Sequence, residues 1–243
     1  MTSSKDQIYA SNTRNLKDFT FDESVANVFD DMINRSVPGY QMVTKMSGLM
    51  TSIFATEGSN LYDLGCSIGT SILEIRRQSL PRDLKIKAID NSSAMLDKCQ
   101  QVIINEKNMP TVEFECIDIE QVTIANASVV LLNWTLQFVP KERRREIVKN
   151  IFSGLLPGGA LLLSEKILIE DPMLNQINIE LHESFKKENG YSELEIARKR
   201  AALDNVLIPE TLSTHRNRLL QSGFENCDIW FRCFNFASLI AVK

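Results

Sequence analysis

The chain has 243 residues, of which 44% are hydrophobic and 24% are charged, a composition typical of a globular protein with one large buried core. Its formal net charge is -4 at pH 7, which argues against direct binding to nucleic acid, since a protein that grips a polyanion usually has a basic footprint. Five cysteines without CxxC spacing and only two histidines argue against a disulfide framework and a metal site, and we expect a reducing, cytoplasmic location.

The N-terminal part of the chain is predicted to precede the main fold. Residues 1–18 are polar and lack the apolar centre of a secretory signal, and no apolar run reaches the roughly 20 residues that a membrane span needs. We predict a partly mobile tail over 1–18 and two helices within 19–56. The helices run from Ser24 to Arg35 and from Tyr40 to Ala55.

Short β-rich runs then alternate with amphipathic helices. This alternation predicts a doubly wound α/β fold with a mainly parallel sheet. The predicted strands are residues 60–64, 84–90, 111–116, 127–133 and 159–166. The predicted helices run from Thr70 to Arg77, from Ala94 to Asn105 and from Glu142 to Leu155, with the turn 157-PGG-159 ending the last one.

The C-terminal part changes character. Residues 171–208 are predicted to form a helical insertion with a polar break at 188-ENGYSE-193. Pro209 is predicted to start a further helix that reaches about Gln221. Residues 225–243 are predicted as two antiparallel strands at the sheet edge. Without repeats or linkers, the whole chain is predicted to be one domain.

The densest basic run, 141-KERRREIVK-149, lies on a predicted helix. Apolar residues at helical spacing line one face of that helix, so Arg143, Arg144 and Arg145 are interpreted as a largely solvated face. We favour this interpretation over nucleic-acid binding.

The stretch 61-LYDLGCSIGT-70 follows the first predicted strand. In open α/β sheets, ligands bind beyond the carboxyl ends of the strands, and glycine lets the backbone come close to them. The order Asp63-x-Gly65-x-Ser67-x-Gly69 does not have GxGxxG spacing, which weighs against a nicotinamide dehydrogenase. It resembles the acidic-x-G-x-G-x-G loop of class I S-adenosylmethionine-dependent enzymes, with serine at the middle glycine. A purely structural strand-to-helix turn is the alternative.

Three further polar sites follow the next three strands. Asp90 is placed to accept hydrogen bonds from both ribose hydroxyls, although this stretch could also cap the following helix. Asp118 could accept from an adenine amino group and Ile119 could pack on the ring, the alternative for Asp118 being an exposed loop acid. Asn133 would face the reacting centre near the sulfonium. Together with the glycine-containing loop, these sites predict an S-adenosylmethionine pocket.

Longer blocks carry a closer resemblance, to the bacterial carboxy-S-adenosyl-L-methionine synthase family. The blocks are 32-MINRSVPGY-40, 62-YDLGCSIGT-70, 88-AIDNS-92, 133-NWTLQF-138, 154-GLLPGGALLLSEK-166, 189-NGYSELEIARKR-200 and 230-WFRCFNFASLIAVK-243. The resemblance covers nearly the whole chain from about Phe19. It implies a class I methyltransferase-type sheet of seven strands with one late antiparallel strand.

The resemblance implies an unusual transferase. The family converts S-adenosylmethionine and prephenate to carboxy-S-adenosylmethionine, phenylpyruvate and water. The product serves a partner enzyme that carboxymethylates a hydroxylated wobble uridine in tRNA. A homodimer is also implied. In the family's proposed mechanism the breakdown of prephenate supplies both carbon dioxide and a base, so a general base from the protein is not required.

The resemblance also implies site residues. Its cofactor contacts carry over to Tyr40, Gly65, Cys66, Ser67, Asp90, Asn91, Asp118, Ile119, Asn133 and Arg200. Arg200 is expected to pair with the new carboxylate, in its own or a neighbouring subunit, the alternative being a surface arginine. Tyr40 is expected to cover the cofactor or bond to its amino-acid end, the alternative being core packing. Tyr40 and Asn133 are grouped with Arg200 as catalytic candidates.

Three residues are weaker candidates for binding prephenate, namely Arg35, Tyr191 and Arg198. Two other functions stay open on the residues alone. An ordinary methyltransferase acting on a small acid would form S-adenosylhomocysteine and would not need Arg200. A non-catalytic subunit would bind an adenosyl ligand without turning over prephenate.

Overall fold

The computed structural model describes residues 4–10, 18–104 and 110–243. Its strands are β1 Asn60–Leu64, β2 Lys85–Asp90, β3 Val112–Cys116, β4 Ala127–Asn133, β5 Leu155–Leu168, β6 Glu210–Thr211, β7 Asn226–Cys233 and β8 Phe236–Val242. Its α-helices are α1 Glu23–Ser36, α2 Tyr40–Phe54, α3 Thr70–Arg76, α4 Ser93–Ile104, α5 Lys141–Gly154, α6 Pro172–Glu188, α7 Glu193–Leu203 and α8 Leu212–Ser222. A short 3₁₀ helix spans Leu136–Phe138.

The strands form one sheet in the order β3-β2-β1-β4-β5-β8-β7, with the two-residue β6 pairing beside β5. Among the described strands, β8 alone runs against the common strand direction, and it pairs antiparallel with both β5 and β7. The predicted doubly wound, mainly parallel sheet with one late antiparallel strand is therefore confirmed. Because the chain order reverses between β1 and β4, a ligand crevice is expected at their carboxyl ends.

Hydrophobic residues cover both faces of this sheet. In β1, Leu61 packs in the cluster that contains Ile72 and Ile75 of α3, whereas Tyr62 packs in the cluster that contains Ile147 of α5. Every residue of β4 is buried, as a central parallel strand with helices on both faces requires. This double burial fixes the strand register and so aligns the carboxyl ends of the strands that carry the predicted site.

Most predicted boundaries agree with the structure to within one or two residues, but two differ further. The helix predicted from Pro209 begins at Leu212, because Glu210–Thr211 pairs with β5 and the Thr211 side chain caps the helix by accepting from the Thr214 amide. The turn 157-PGG-159 lies within β5, after α5 has ended at Gly154. Residue 105, the predicted end of the α4 helix, lies outside the described residues.

Residues 4–10, part of the predicted mobile tail, pack against the body of the protein. Asp6 is buried, and its carboxylate accepts a 2.5 Å hydrogen bond from the Tyr191 hydroxyl. Its backbone amide donates to Asp31, and its carbonyl accepts from Arg35. The rest of the predicted tail up to residue 17 lies outside the described residues.

The predicted solvated face of α5 is wrong for Arg144. Its neighbours Arg143 and Arg145 are exposed, but the Arg144 side chain is 0% exposed. Its guanidinium donates to Glu210 at 2.6 Å and to three backbone carbonyls. Arg144 therefore ties α5 to the segment that leads into α8, which is a structural role unrelated to nucleic acid.

Within the described part of the chain, no helix is long and apolar enough to cross a membrane. The same residues contain no group of three or more His, Cys, Asp or Glu side chains that could hold a metal ion.

Candidate active site

A cavity of about 460 Å³ lies at the carboxyl ends of β1 to β5. Its volume falls within the range of small-molecule sites, roughly 300–1,000 Å³. Residues of α1, α6 and α7 line it from the side opposite the sheet. All ten residues predicted to contact the cofactor, from Tyr40 to Arg200, are among its lining residues. The helices before the sheet and the helical insertion thus enclose the sheet edge that carries the predicted motifs.

The loop after β1 turns sharply beneath this cavity. The amides of Gly65 and Cys66 both donate to the carbonyl of Ile89, at 2.8 and 2.9 Å. Gly65 and Gly69 have φ values of 80° and 85°, in the left-handed region that favours glycine. The loop is therefore held against β2, with its backbone lining the cavity.

Ser67 occupies the middle glycine position of the resembled motif, and it adopts the same left-handed conformation, with φ 51°. Its amide donates to the Asp90 carboxylate at 2.9 Å, and its hydroxyl lies 3.6 Å from the sulfur of Met95. These contacts compensate the cost of a non-glycine residue in this region. Serine at this position is compatible with the loop.

Replacing Gly65 with alanine is expected to destabilise the protein by about 2–3 kcal/mol, because strain at positive φ and steric overlap add. An added Cβ would lie 2.1 Å from the Thr135 hydroxyl oxygen. Gly58→Ala is the matched control, since Gly58 also has positive φ, 68°, but nothing lies within 4 Å of an added Cβ. Urea unfolding measures both variants. Equal losses would show that the Thr135 contact is unimportant.

Asp90 joins β2 to the glycine-containing loop. One carboxylate oxygen accepts from Ser67 and the other accepts from the Ser92 amide, each at 2.9 Å. Burial raises the pKa of Asp90, and these two hydrogen bonds oppose the rise. The hydroxyl of Ser92 caps α4 by accepting from the Met95 amide. Ser92 therefore caps the helix, whereas Asp90 lines the cavity.

The third predicted site follows β3. Ile119 is buried at the cavity wall, as expected for a residue that packs on a ring. One oxygen of Asp118 accepts from the Glu120 amide at 2.9 Å, and the other accepts from the side-chain amide of Asn91 at 3.2 Å. Asn91 and Asp118 thus form a linked polar edge beside the apolar surface of Ile119.

Asn133 ends β4 inside the cavity. Both polar atoms of its side chain are buried, and neither has a hydrogen-bond partner among the described residues. Buried amides are nearly always hydrogen-bonded, so this unmet capacity indicates a place for a ligand. Trp134 follows with φ 53°, and its ring packs 5.1 Å from that of Tyr40. Tyr40 is itself buried, so it combines core packing with a place in the cavity wall.

Asp63, the acid that begins the glycine-containing motif, also lines the cavity, and its position in the sequence had predicted no separate role for it. It is buried, and its Oδ2 has no hydrogen-bond partner among the residues described. Burial, reinforced by the charge of Asp90, raises the pKa of Asp63 to about 7. A buried and a half-buried carboxylate, both with raised pKa values, suit a cationic ligand, because a positive charge would stabilise their ionised forms.

Arg200 lies at the margin of the cavity on α7. Its side chain is 58% exposed and pairs with Glu183 of α6 at 2.9 Å. Lys199, beside it, is more enclosed, and its Nζ donates to the Ser36 hydroxyl at 2.9 Å. Arg200 is thus neither buried in the cavity nor a free surface arginine.

The weaker prephenate candidates do not line the cavity. Arg35 donates to Asp31 and stacks over the Tyr191 ring at 3.9 Å. Arg198 donates to the carbonyl of Tyr9. These side chains secure residues 4–10 to the helices, so the structure gives them a structural role and places none of the three in the cavity wall.

Comparison with known proteins places this site in a family context. A family model described as a methyltransferase domain matches residues 61–159. The carboxy-S-adenosyl-L-methionine synthase of Actinobacillus pleuropneumoniae serotype 5b is 49% identical over 239 residues, covering 98% of this chain and 99% of that protein. The protein of the same name from Shewanella oneidensis is 49% identical over 243 residues, covering 100% of both.

A solved structure supports the fold. It is a putative S-adenosyl-L-methionine-dependent methyltransferase from Methanococcus maripaludis, which superposes with a TM-score of 0.61. The superposition covers 96% of this chain and 97% of the other at 17% sequence identity. At that identity the similarity shows the class I fold alone, and the reaction has to be inferred from the residues of the site.

Proposed function

The chain belongs to the carboxy-S-adenosyl-L-methionine synthase family, and we propose that it makes carboxy-S-adenosylmethionine from S-adenosylmethionine, with prephenate as the source of the carboxyl group. The observation that carries this proposal is the charge separation within one cavity. Asp63 and Asp90 lie beside the glycine-containing loop, whereas Lys166, Lys186 and Arg200 line the part formed by β5, α6 and α7. Such a cavity suits a cationic cofactor together with an anionic co-substrate.

The reaction balances without a base from the protein. Prephenate loses carbon dioxide and hydroxide to give phenylpyruvate. Hydroxide removes a proton from the methyl group on the sulfonium and becomes water. The resulting ylide attacks the carbon dioxide and forms the new carbon–carbon bond. The chain has to orient the two substrates and keep bulk water from the ylide, and apolar side chains such as Phe29, Met32 and Phe236 line the cavity.

The site geometry supports a role for each residue that lines the cofactor part of the cavity. We assign the ribose to Asp90, the adenine edge to Asp118 with its ring against Ile119, and the region of the sulfonium to Asn133. The backbone from Gly65 to Ser67 then runs under the cofactor, and Tyr40 covers it. Asp63 offers a carboxylate to the cofactor's positive charge.

The first experiment is mass spectrometry of the small molecules after incubation with S-adenosylmethionine and prephenate. We expect a product in which one carboxyl group replaces one hydrogen of S-adenosylmethionine, with an equal amount of phenylpyruvate. An ordinary methyltransferase would instead form S-adenosylhomocysteine with some acceptor, and a non-catalytic subunit would leave both compounds unchanged. Either result would overturn the proposal.

Arg200→Met is expected to weaken binding of carboxy-S-adenosylmethionine by about 10- to 30-fold, or about 2 kcal/mol, because an arginine–carboxylate pair is lost. Binding of S-adenosylmethionine should change less than about twofold. Isothermal titration calorimetry with each ligand measures the difference. Arg198→Met, on the same helix but outside the cavity, is the control. Equal losses for both ligands would contradict the role of Arg200.

A homodimer fits the surface of α6. Met173, Leu174, Ile177 and Leu181 are exposed on this helix, and apolar patches of this kind often mark interfaces. Arg200 contacts α6 through Glu183, so a partner docked on α6 would lie close to the cavity margin. We also propose that the product supplies a tRNA carboxymethyltransferase acting on a wobble uridine in the cytoplasm, and that this chain does not bind the tRNA.

A further inference from the structure

Two lysines on different elements line the cavity. Lys166 lies near the end of β5, and Lys186 lies in the last turn of α6. Both line the same cavity as the site residues above. Neither ammonium group makes a hydrogen bond or an ion pair within the described ranges 4–10, 18–104 and 110–243. This distinguishes them from Lys199, whose Nζ is already bonded to the Ser36 hydroxyl.

The two ammonium groups lie in each other's field. Burial, followed by the positive charge of Lys166, lowers the pKa of Lys186 to about 8. The pKa of Lys166 is also lowered, by burial and then by Arg200. Glu183 is the acid that favours the charged forms, but it already pairs with Arg200 at 2.9 Å. Around Lys166 and Lys186 the positive charge therefore exceeds what Glu183 can neutralise.

The neighbouring groups do not relieve this excess. Burial, followed by the charges of Lys186 and Lys166, lowers the pKa of His182 to about 3, so its ring is neutral. Its Nε2 donates to the Ser36 carbonyl at 2.8 Å, since a carbonyl can only accept. Asn235, also in the cavity wall, has a buried Oδ1 without a partner among the described atoms. This part of the cavity wall therefore has a buried amide oxygen without a hydrogen-bond partner as well as two ammonium groups without a paired acid.

We propose that Lys166 and Lys186 together bind the two carboxylates of the co-substrate, an inference that rests on the proposed function. Partly buried charges are costly unless an opposite charge neutralises them. A dicarboxylate neutralises both lysines, whereas a monocarboxylate leaves one of them unpaired. The pair thus selects prephenate on entry. It also favours release of phenylpyruvate, because the reaction removes one carboxylate.

The test compares Lys166→Met and Lys186→Met with the wild type. Methionine keeps the length and most of the apolar stem while removing the charge. We expect each change to raise the KM for prephenate at least tenfold, while the Kd for S-adenosylmethionine stays within about twofold. Lys186→Arg should recover most of the loss, because it restores the charge. Lys149→Met, at an exposed position on α5, should match the wild type.

A second measurement separates this inference from the proposed function. Calorimetry with prephenate, in the presence of S-adenosylhomocysteine, reports binding without turnover. We expect wild-type prephenate binding to exceed phenylpyruvate binding by at least tenfold, and this preference to disappear in both methionine variants.

If the wild type forms product but the variants keep their KM and preference, the lysine site is overturned and the function stands. If binding depends on the lysines but no carboxylated product forms, the function falls and the lysine site stands. If the wild type binds no prephenate, both are overturned.

Discussion

Asp90→Asn is expected to raise the Kd for S-adenosylmethionine by at least 100-fold. A charged hydrogen bond contributes about 1.5–3 kcal/mol, and the ribose would lose two of them. The change also disturbs the loop itself, because the new NH₂ group faces the amide of either Ser67 or Ser92, which in the wild type donate to the carboxylate. The loss of affinity should therefore exceed the loss that removing the ribose contacts alone would cause.

Calorimetric titration with S-adenosylmethionine measures this effect, and urea unfolding of the same samples measures stability separately. Asp97→Asn is the control, because Asp97 is exposed on α4, the helix that follows Asp90. We expect it to leave the Kd within about twofold of the wild type. A folded Asp90→Asn protein that binds S-adenosylmethionine normally would refute the ribose assignment.

The location of the candidate site was predictable because it depends on local order in the sequence. β1 and β4 have the predicted bounds, since each is a buried apolar run that ends at a polar residue or a glycine. Parallel strands that end at one sheet edge then bring Gly65, Asp90, Asp118 and Asn133 together. The arrangement therefore follows from the fold class alone, without knowledge of any contact.

The lysine-lined side of the cavity was not predictable in the same way, because it depends on contacts between distant segments. Arg35 and Tyr191 looked available in the sequence, but the buried carboxylate of Asp6 accepts from Tyr191 and the Asp6 carbonyl accepts from Arg35. Lys166 and Lys186 belong to different elements, and only the packing of α6 over the cavity brings their charges together. Neither the 3.6-residue nor the 2-residue periodicity contains that information.

Arg144 is a second case in which a contact with a distant segment could not be predicted from sequence periodicity. Its helical position predicted solvent exposure, yet its partner Glu210 lies 66 residues away in the chain. Glu210 also accepts from Arg218 of α8 at 2.5 Å, so one carboxylate joins α5 and α8. Burial is the largest single effect and raises the pKa of Glu210, but the hydrogen bonds and charges of Arg144 and Arg218 together outweigh it and hold that pKa below its usual value.

Arg144→Met is expected to lower the free energy of unfolding by about 3–5 kcal/mol, the range for breaking one side of a buried ion pair. The variant leaves the carbonyls of Gln137, Val139 and Ile208 without this donor, and Glu210 with one arginine in place of two. Urea unfolding followed by tryptophan fluorescence measures the loss. Arg145→Met changes the next residue, which is exposed, and should cost less than about 0.5 kcal/mol.

A double-mutant cycle tests whether this loss comes from the Arg144–Glu210 pair. If the ion pair is responsible, Arg144→Met combined with Glu210→Gln should cost at least 1 kcal/mol less than the sum of the single losses, because the amide no longer places a charge in the buried site. Strict additivity would show that the two side chains act independently. Equal stability of Arg144→Met and Arg145→Met would show that the basic run is the solvated face that its sequence suggests.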